Sequence, residues 1–131
     1  MTLDDIRAAL IGRLADSWTQ TPVAYPNREY TPTTGQAWIW PTVRPGDAIE
    51  GEKGQDGLGL RFGIFYVDIY TPLGIGSRPA NDLAANIEAL YRRADVGGVM
   101  CGEPSTWEYG NDGHGWWHVQ TRVPIQAWTG E

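Results

Sequence analysis

The stretch from Leu58 to Tyr70 constrains the fold more than any other part of the chain. Leu60, Phe62, Ile64, Tyr66 and Tyr70 fall on one side of an extended segment, and Phe65, Val67 and Ile69 on the other. Apolar residues on both sides predict a central strand that is covered above and below. Such a strand needs neighbours in the sheet and helices to pack on it. Gln36 to Val43 alternates Ala37, Ile39 and Val43 against Trp38, Trp40 and Thr42, with Pro41 placing it near an edge or a bulge. Trp116 to Trp128 alternates Trp117, Val119, Thr121, Val123 and Ile125 against Trp116, His118, Gln120 and Arg122. Shorter β-like runs lie at Pro22 to Pro26, Val96 to Cys101 and Thr106 to Tyr109, the last leading into a Gly110-Asn111-Asp112-Gly113 turn.

Two helical patterns complete the set. Leu3, Ile6, Leu10, Leu14 and Trp18 recur every three or four residues and form one apolar stripe. Thr2 followed by Asp5 predicts a capping box, and Asp4 and Asp5 suit the positive end of the helix dipole. Leu83, Ile87, Leu90 and Tyr91 form the second stripe, with Ser77 as cap, Pro79 in the first turn, and Arg92 and Arg93 at the end. The expected architecture is a single α+β domain over residues 1–131, in the order α-β-β-β-α-β-β-β. Its two helices pack on a mixed, mostly antiparallel sheet. Between two strands, residues 44–57 are rich in glycine and charge, carrying Arg44, Asp47, Glu50, Glu52, Lys53 and Asp56. That run predicts a long mobile hairpin loop.

Composition removes whole classes of function. Ten basic residues against sixteen acidic ones give a net charge of −6, the reverse of what a binder of phosphate backbones carries. One cysteine, Cys101, excludes an internal disulfide framework and a thiolate-rich zinc cluster. No apolar run is long enough to span a bilayer, and the acidic start Met1-Thr2-Leu3-Asp4-Asp5 is unlike a signal peptide.

The chemical motifs are equally sparse. Gly74-Ile75-Gly76 sits between a strand and a helix, but Pro79 stands where a dinucleotide fingerprint needs its third glycine, so it reads as a turn. Cys101, His114 and His118, with Glu108 or Asp112, are the imaginable metal ligands. On one extended strand His114 and His118 would lie about 13 Å apart, too far to share an ion. A Cys101–His118 nucleophile pair is conceivable, yet Cys101 follows an apolar run as a small core residue does. The sequence therefore predicts no enzyme and no cofactor.

Seven tryptophans are the remaining signal. Trp116 and Trp117 are neighbours on a strand and must point to opposite faces. If Ala37, Ile39 and Val43 face the core, Trp38 and Trp40 form an apolar patch on the far side, and a monomer rarely leaves such a patch wet. An interface with another subunit, an aromatic platform for sugars, or a core extended by loop cover would each account for them.

The opening helix Leu3-Asp4-Asp5-Ile6-Arg7-Ala8-Ala9-Leu10, the strand Gln36 to Val43 and the glycine- and acid-rich loop form one part of a recognisable layout. The strand ending Phe65-Tyr66-Val67-Asp68-Ile69-Tyr70-Thr71-Pro72, the helix Ala80 to Arg93 and the closing strand Trp117 to Trp128 complete it. Nearly the whole chain resembles the tail terminator proteins of long-tailed bacteriophages, similar to the lambda tail terminator. The resemblance implies a non-enzymatic virion protein, assembled in the host cytoplasm and placed at the head-proximal end of the tail. As a hexameric ring it would cap the tail tube, stop tube polymerisation and present a joining surface to the head-side connector. Six copies would carry about −36, so DNA would pass through the ring without sticking. On this reading the 44–57 loop faces the lumen or the major tail tube protein. Trp38, Trp40 and Trp116 pack between subunits, and arginines bridge to neighbours' acids. Another head–tail connector or neck protein, and a tryptophan-rich carbohydrate-binding module, are the alternatives.

Overall fold

The computed structural model describes residues 1–51, 54 and 57–129. Helix α1 (Leu3–Ser17) begins with the predicted capping box. The Asp5 N–H donates to Thr2 Oγ1 at 3.1 Å, and the Thr2 N–H donates to Asp5 Oδ2 at 2.8 Å. Its Ile6, Leu10 and Leu14 are buried, as the stripe requires. Strands β1 (Trp38–Glu50) and β2 (Gly59–Pro72) form an antiparallel hairpin. Helix α2 (Arg78–Tyr91) follows, burying Ala80, Ala84, Ile87 and Tyr91, although Ser77 makes no side-chain cap. Four strands complete the chain: β3 (Asp95–Val96), β4 (Val99–Cys101), β5 (Ser105–Asn111) and β6 (Trp116–Thr129).

The sheet runs β1-β2-β6-β4-β3, with β5 also paired to β6, and every strand pair is antiparallel. The α+β class and the two-helix, mostly antiparallel layout are those expected. The element order differs in two places. Pro22 to Pro26 contributes only an isolated parallel bridge, Val23 to Ile39, because its prolines remove the donors a strand would need. The Val96 to Cys101 run divides into β3 and β4 about Gly97 and Gly98, both at positive φ.

The expected 44–57 loop is also shorter at its start, because residues 44–50 belong to β1. Pro45 is tolerated because β1 lies at the sheet edge. A bulge between Pro45 and Ala48 absorbs Gly46 and Asp47, after which the ladder resumes at Ala48–Arg61. The bulge demands glycine on both strands. A Cβ on Gly46 would stand 2.9 Å from the Phe62 carbonyl oxygen, and one on Gly63 would stand 2.8 Å from that of Arg44.

Both helices lie on one face of the sheet. Phe65, Val67 and Ile69 of β2 and Val119 and Val123 of β6 are fully buried there with Ile39 of β1. The Tyr91 ring packs edge-on to Phe65, and its hydroxyl donates to the Leu10 carbonyl at 2.6 Å, tying α2 to α1. Burial pushes the Tyr91 phenol well above its ordinary range. Cys101 lies at the margin of this core, its thiol pushed up to about 11 chiefly by burial.

The cover expected on the second side of β2 is incomplete. Phe62 is exposed, and Leu60, Ile64, Tyr66 and Tyr70 are only half-buried. On this open face the side chains of neighbouring strands shelter one another, as set out next.

Candidate functional site

Register decides which side chains meet on the open face. Trp38 lies opposite Tyr70, which lies opposite His118; Trp40 lies opposite Asp68, which lies opposite Gln120. Thr42, Tyr66 and Arg122 form the next row. The rings of the first row stack like coins standing on edge. Trp38 and Tyr70 have centroids 4.4 Å apart at 15°, and Tyr70 and His118 4.6 Å apart at 7°. Tyr109, carried outward by a bulge in β5, stacks on the other side of His118 at 5.0 Å. Gly110, at φ 84°, supplies that bulge with a conformation disfavoured for other residues. At the opposite end Tyr30 leans on Trp38 at 5.4 Å, and Trp116 meets Trp38 edge-on at 6.0 Å.

A polar chain runs beside the stack. Asp68 is 8% exposed, and its Oδ1 lies 2.7 Å from His118 Nε2 and accepts from Gln120 Nε2 at 2.9 Å. Gln120 in turn accepts from Arg122 Nε at 2.9 Å, while Arg122 also donates to the Tyr109 hydroxyl. The Arg122 guanidinium sits over the Trp107 ring, 4.5 Å from its centroid, and 5.8 Å from that of Tyr66. Arg44 approaches the Tyr66 ring at 5.5 Å. Burial, with the Asp68 and Asp112 carboxylates behind it, pushes the Tyr70 hydroxyl up to about 12.

The predicted Trp38/Trp40 patch therefore exists, with Ile39 and Val43 inward and Trp40 left 44% exposed. Trp116 joins it, and Arg44 is linked to it through Tyr66. Asp47 and Glu50 stand apart at the far end of β1, both exposed. Glu52, Lys53 and Asp56 lie outside the described residues. Sequence reasoning missed Asp68, His118, Gln120, Arg122, Tyr109 and Trp107 as members of the same surface. Alternation gave the outward side of β6, but not its alignment with Trp38 some eighty residues earlier in the chain.

The geometry narrows what the face can do. A sugar platform needs aromatic faces open to solvent. Here the faces of Trp38, Tyr70 and His118 are turned toward one another, which leaves the open aromatic area to Trp40, Trp107 and Tyr109, and the buried Trp38 Nε1 has no hydrogen-bond partner among the described residues. His114 lies in the turn before β6, where its N–H donates to Asp112 Oδ1 at 2.7 Å, and His118 is engaged by Asp68. Among the described residues no three His, Cys, Asp or Glu side chains group as metal ligands. Among the described residues no helix is long and apolar enough to cross a membrane.

Exposed aromatic area held rigidly on a sheet is the character of an assembly surface. The phage tail terminator protein family matches the chain over residues 5–125. The chain belongs to the phage tail terminator family. It is thus a structural protein of a bacteriophage tail, a virion component that works by contact with other tail or head parts. A solved structure 27% identical in sequence superimposes with a TM-score of 0.72, over 97% of this chain and 96% of that one. No curated protein matches the chain. For a tail protein that works by contact, the open face is the surface to consider for such contacts.

Proposed function

We propose that this terminator closes the head-proximal end of the tail tube as a ring of copies, with six as the expected number. The ring ends tube polymerisation on one side and offers the head-side connector a joining surface on the other. The observation that supports this best is the open aromatic face, with Trp40 at 44%, Trp107 at 53% and Tyr109 at 53% exposure in the lone chain. Packing against a neighbouring copy removes that area from water at about 25 cal/mol per Å² before association costs are subtracted. No catalytic step and no cofactor enter the proposal. DNA passes through the ring without specific binding, since a net charge of −6 per copy repels phosphates.

The β1–β2 hairpin end, with Asp47 and Glu50 and the acids that follow, contacts the tube or faces the lumen in this scheme. Replacing residues 52–56 by glycine and serine residues of the same number keeps the span needed by the ladder that reaches Glu50–Gly59 and by the Gly51 N–H to Leu58 carbonyl bond. The variant should fold with an unchanged unfolding midpoint and give tails with ragged, overlong tubes in electron micrographs. Light scattering across a concentration series, with and without magnesium, tests the ring directly. A species near six times the monomer mass is the expected result. Tubes of normal, uniform length in the absence of this protein would refute the terminator reading.

A further inference from the structure

We infer that the Arg44–Arg122 concavity on the open face is a carboxylate-binding site, and that its occupant is an acidic side chain of the next copy, docked head to tail. The inference deepens the ring reading above and rests on it. The concavity, of about 320 Å³, is lined by Trp40, Arg44, Tyr66, Gln120 and Arg122 and also by Asp68, whose Oδ1 is taken up by His118 and Gln120. Two guanidiniums approach the one Tyr66 ring, at 5.5 and 5.8 Å, and neither has a carboxylate within 4.0 Å among the described residues. Arg7, Arg78, Arg92 and Arg93 have acid partners, whereas Arg13, Arg28 and Arg61 share with Arg44 and Arg122 the lack of an ion pair among the described residues. Arg122 is also held in place. Its Nε is fixed by Gln120, which is fixed by the nearly buried Asp68, so its fork is oriented before any partner arrives. A preorganised guanidinium between aromatic rings is weakly hydrated and suits a planar carboxylate.

Charge decides the kind of partner and the symmetry. On the outward rows of β1, β2, β5 and β6 the charged side chains are Arg44, Arg122 and Asp68, and Asp68 is engaged by His118. The face is therefore cationic on a chain whose net charge is −6. Exposed Asp16, Glu29, Asp47, Glu50 and Glu108 make no ion pair among the described residues. A two-fold, face-to-face dimer would crowd the guanidiniums of both copies into one interface, where Glu29, at the rim beside Trp38 and Trp40, is the exposed acid within reach. A head-to-tail contact sets the cationic face of one copy on the acidic surface of the next, and a contact of that kind closes into rings.

The test compares the full chain with Arg44→Glu/Arg122→Glu by light scattering, alongside tail-tube lengths in electron micrographs. The double variant should lose about tenfold or more in self-association. Added salt should weaken the wild type, since the pair is partly exposed, and should relieve the repulsion in the charge-reversed variant, so that the two converge. Arg44→Gln serves as the second variant: the Arg44 side chain is exposed and makes no hydrogen bond among the described residues, so folding should be retained, and a smaller loss of mass is expected. Wild-type mass in both variants overturns the carboxylate site while leaving the ring reading intact. Capture of inorganic phosphate or duplex DNA by the wild type but not by the double variant, with assembly unchanged in both, overturns it in favour of a phosphate site. A wild type that stays monomeric and leaves tube length uncontrolled removes the ring and this site together.

Discussion

Along β6, Val119, Thr121, Val123 and Ile125 are sealed beneath the two helices, while the intervening His118, Gln120 and Arg122 stay within reach of solvent. The same strand thus serves two surfaces built by different means. The covered face relies on aliphatic side chains and Phe65 pressed against α1 and α2, with Tyr91 spending its one polar atom on a helix carbonyl. The open face has no helix to press on it. It keeps its shape by stacking Trp38, Tyr70, His118 and Tyr109 edge-up and by linking Asp68, Gln120 and Arg122 through hydrogen bonds. Stacked rings with a polar chain beside them hold rigid in water, yet still offer apolar area to a partner. An assembly protein needs that combination: a core that folds the lone chain and a second surface that stays organised until it is covered.

The comparison breaks most visibly at the covered face. Phe65→Ala removes a fully buried ring in contact with Tyr91 and should cost about 3–5 kcal/mol of stability, read from urea unfolding. A loss below about 1 kcal/mol would mean that this face is not the principal core. On the open face the largest effect belongs to its one nearly buried charge. Asp68→Ala strips partners from His118 and Gln120 and should cost about 1–3 kcal/mol, with Arg122 losing its fixed orientation. The near-ultraviolet circular dichroism of the ring stack should weaken with it.

Alkali sharpens the contrast. Tyr91 and Cys101 belong to the covered face and Tyr70 to the open one, and all three are held above their ordinary values mainly by burial. Each contributes stability that is complete below its unfolded pKa and is lost as pH rises toward the folded one. For Cys101 that window runs from 9 to about 11, and for Tyr70 from 10 to about 12. The urea midpoint should fall across both windows; a flat profile would show the groups to be solvated. The smallest expected effect on folding is that of Trp40→Ala, within about 0.5 kcal/mol because the residue is half in water already. Its effect should instead appear in the light-scattering mass, and an unchanged mass would remove Trp40 from the interface.

Much of this was legible beforehand. The capping box at Thr2 and Asp5, the stripe Ile6, Leu10 and Leu14, and the outward placement of Trp38 and Trp40 all follow from local rules and stand in the structure. The extension of β1 through residues 44–50 was not legible, since Pro45, Gly46 and Asp47 carry the chemistry of a loop. Only an edge position and a bulge make them tolerable in a strand. The two-sided apolar pattern of β2 was misleading for a related reason. Tyr70 is sheltered by the Trp38 and His118 rings and Tyr66 by the Arg44 and Arg122 guanidiniums, all from adjacent strands rather than from a second layer.

What the sequence by itself determined is which residues of an element point the same way, because the periods of helix and strand arise from dihedral sterics within a few residues. What the tertiary structure alone decided is who stands beside whom. His118 reaches Asp68 across 50 residues of chain, and Tyr109 reaches Arg122 through a bulge. Register between distant strands is set by how the whole buried face packs, and the open face inherits its neighbours from that choice.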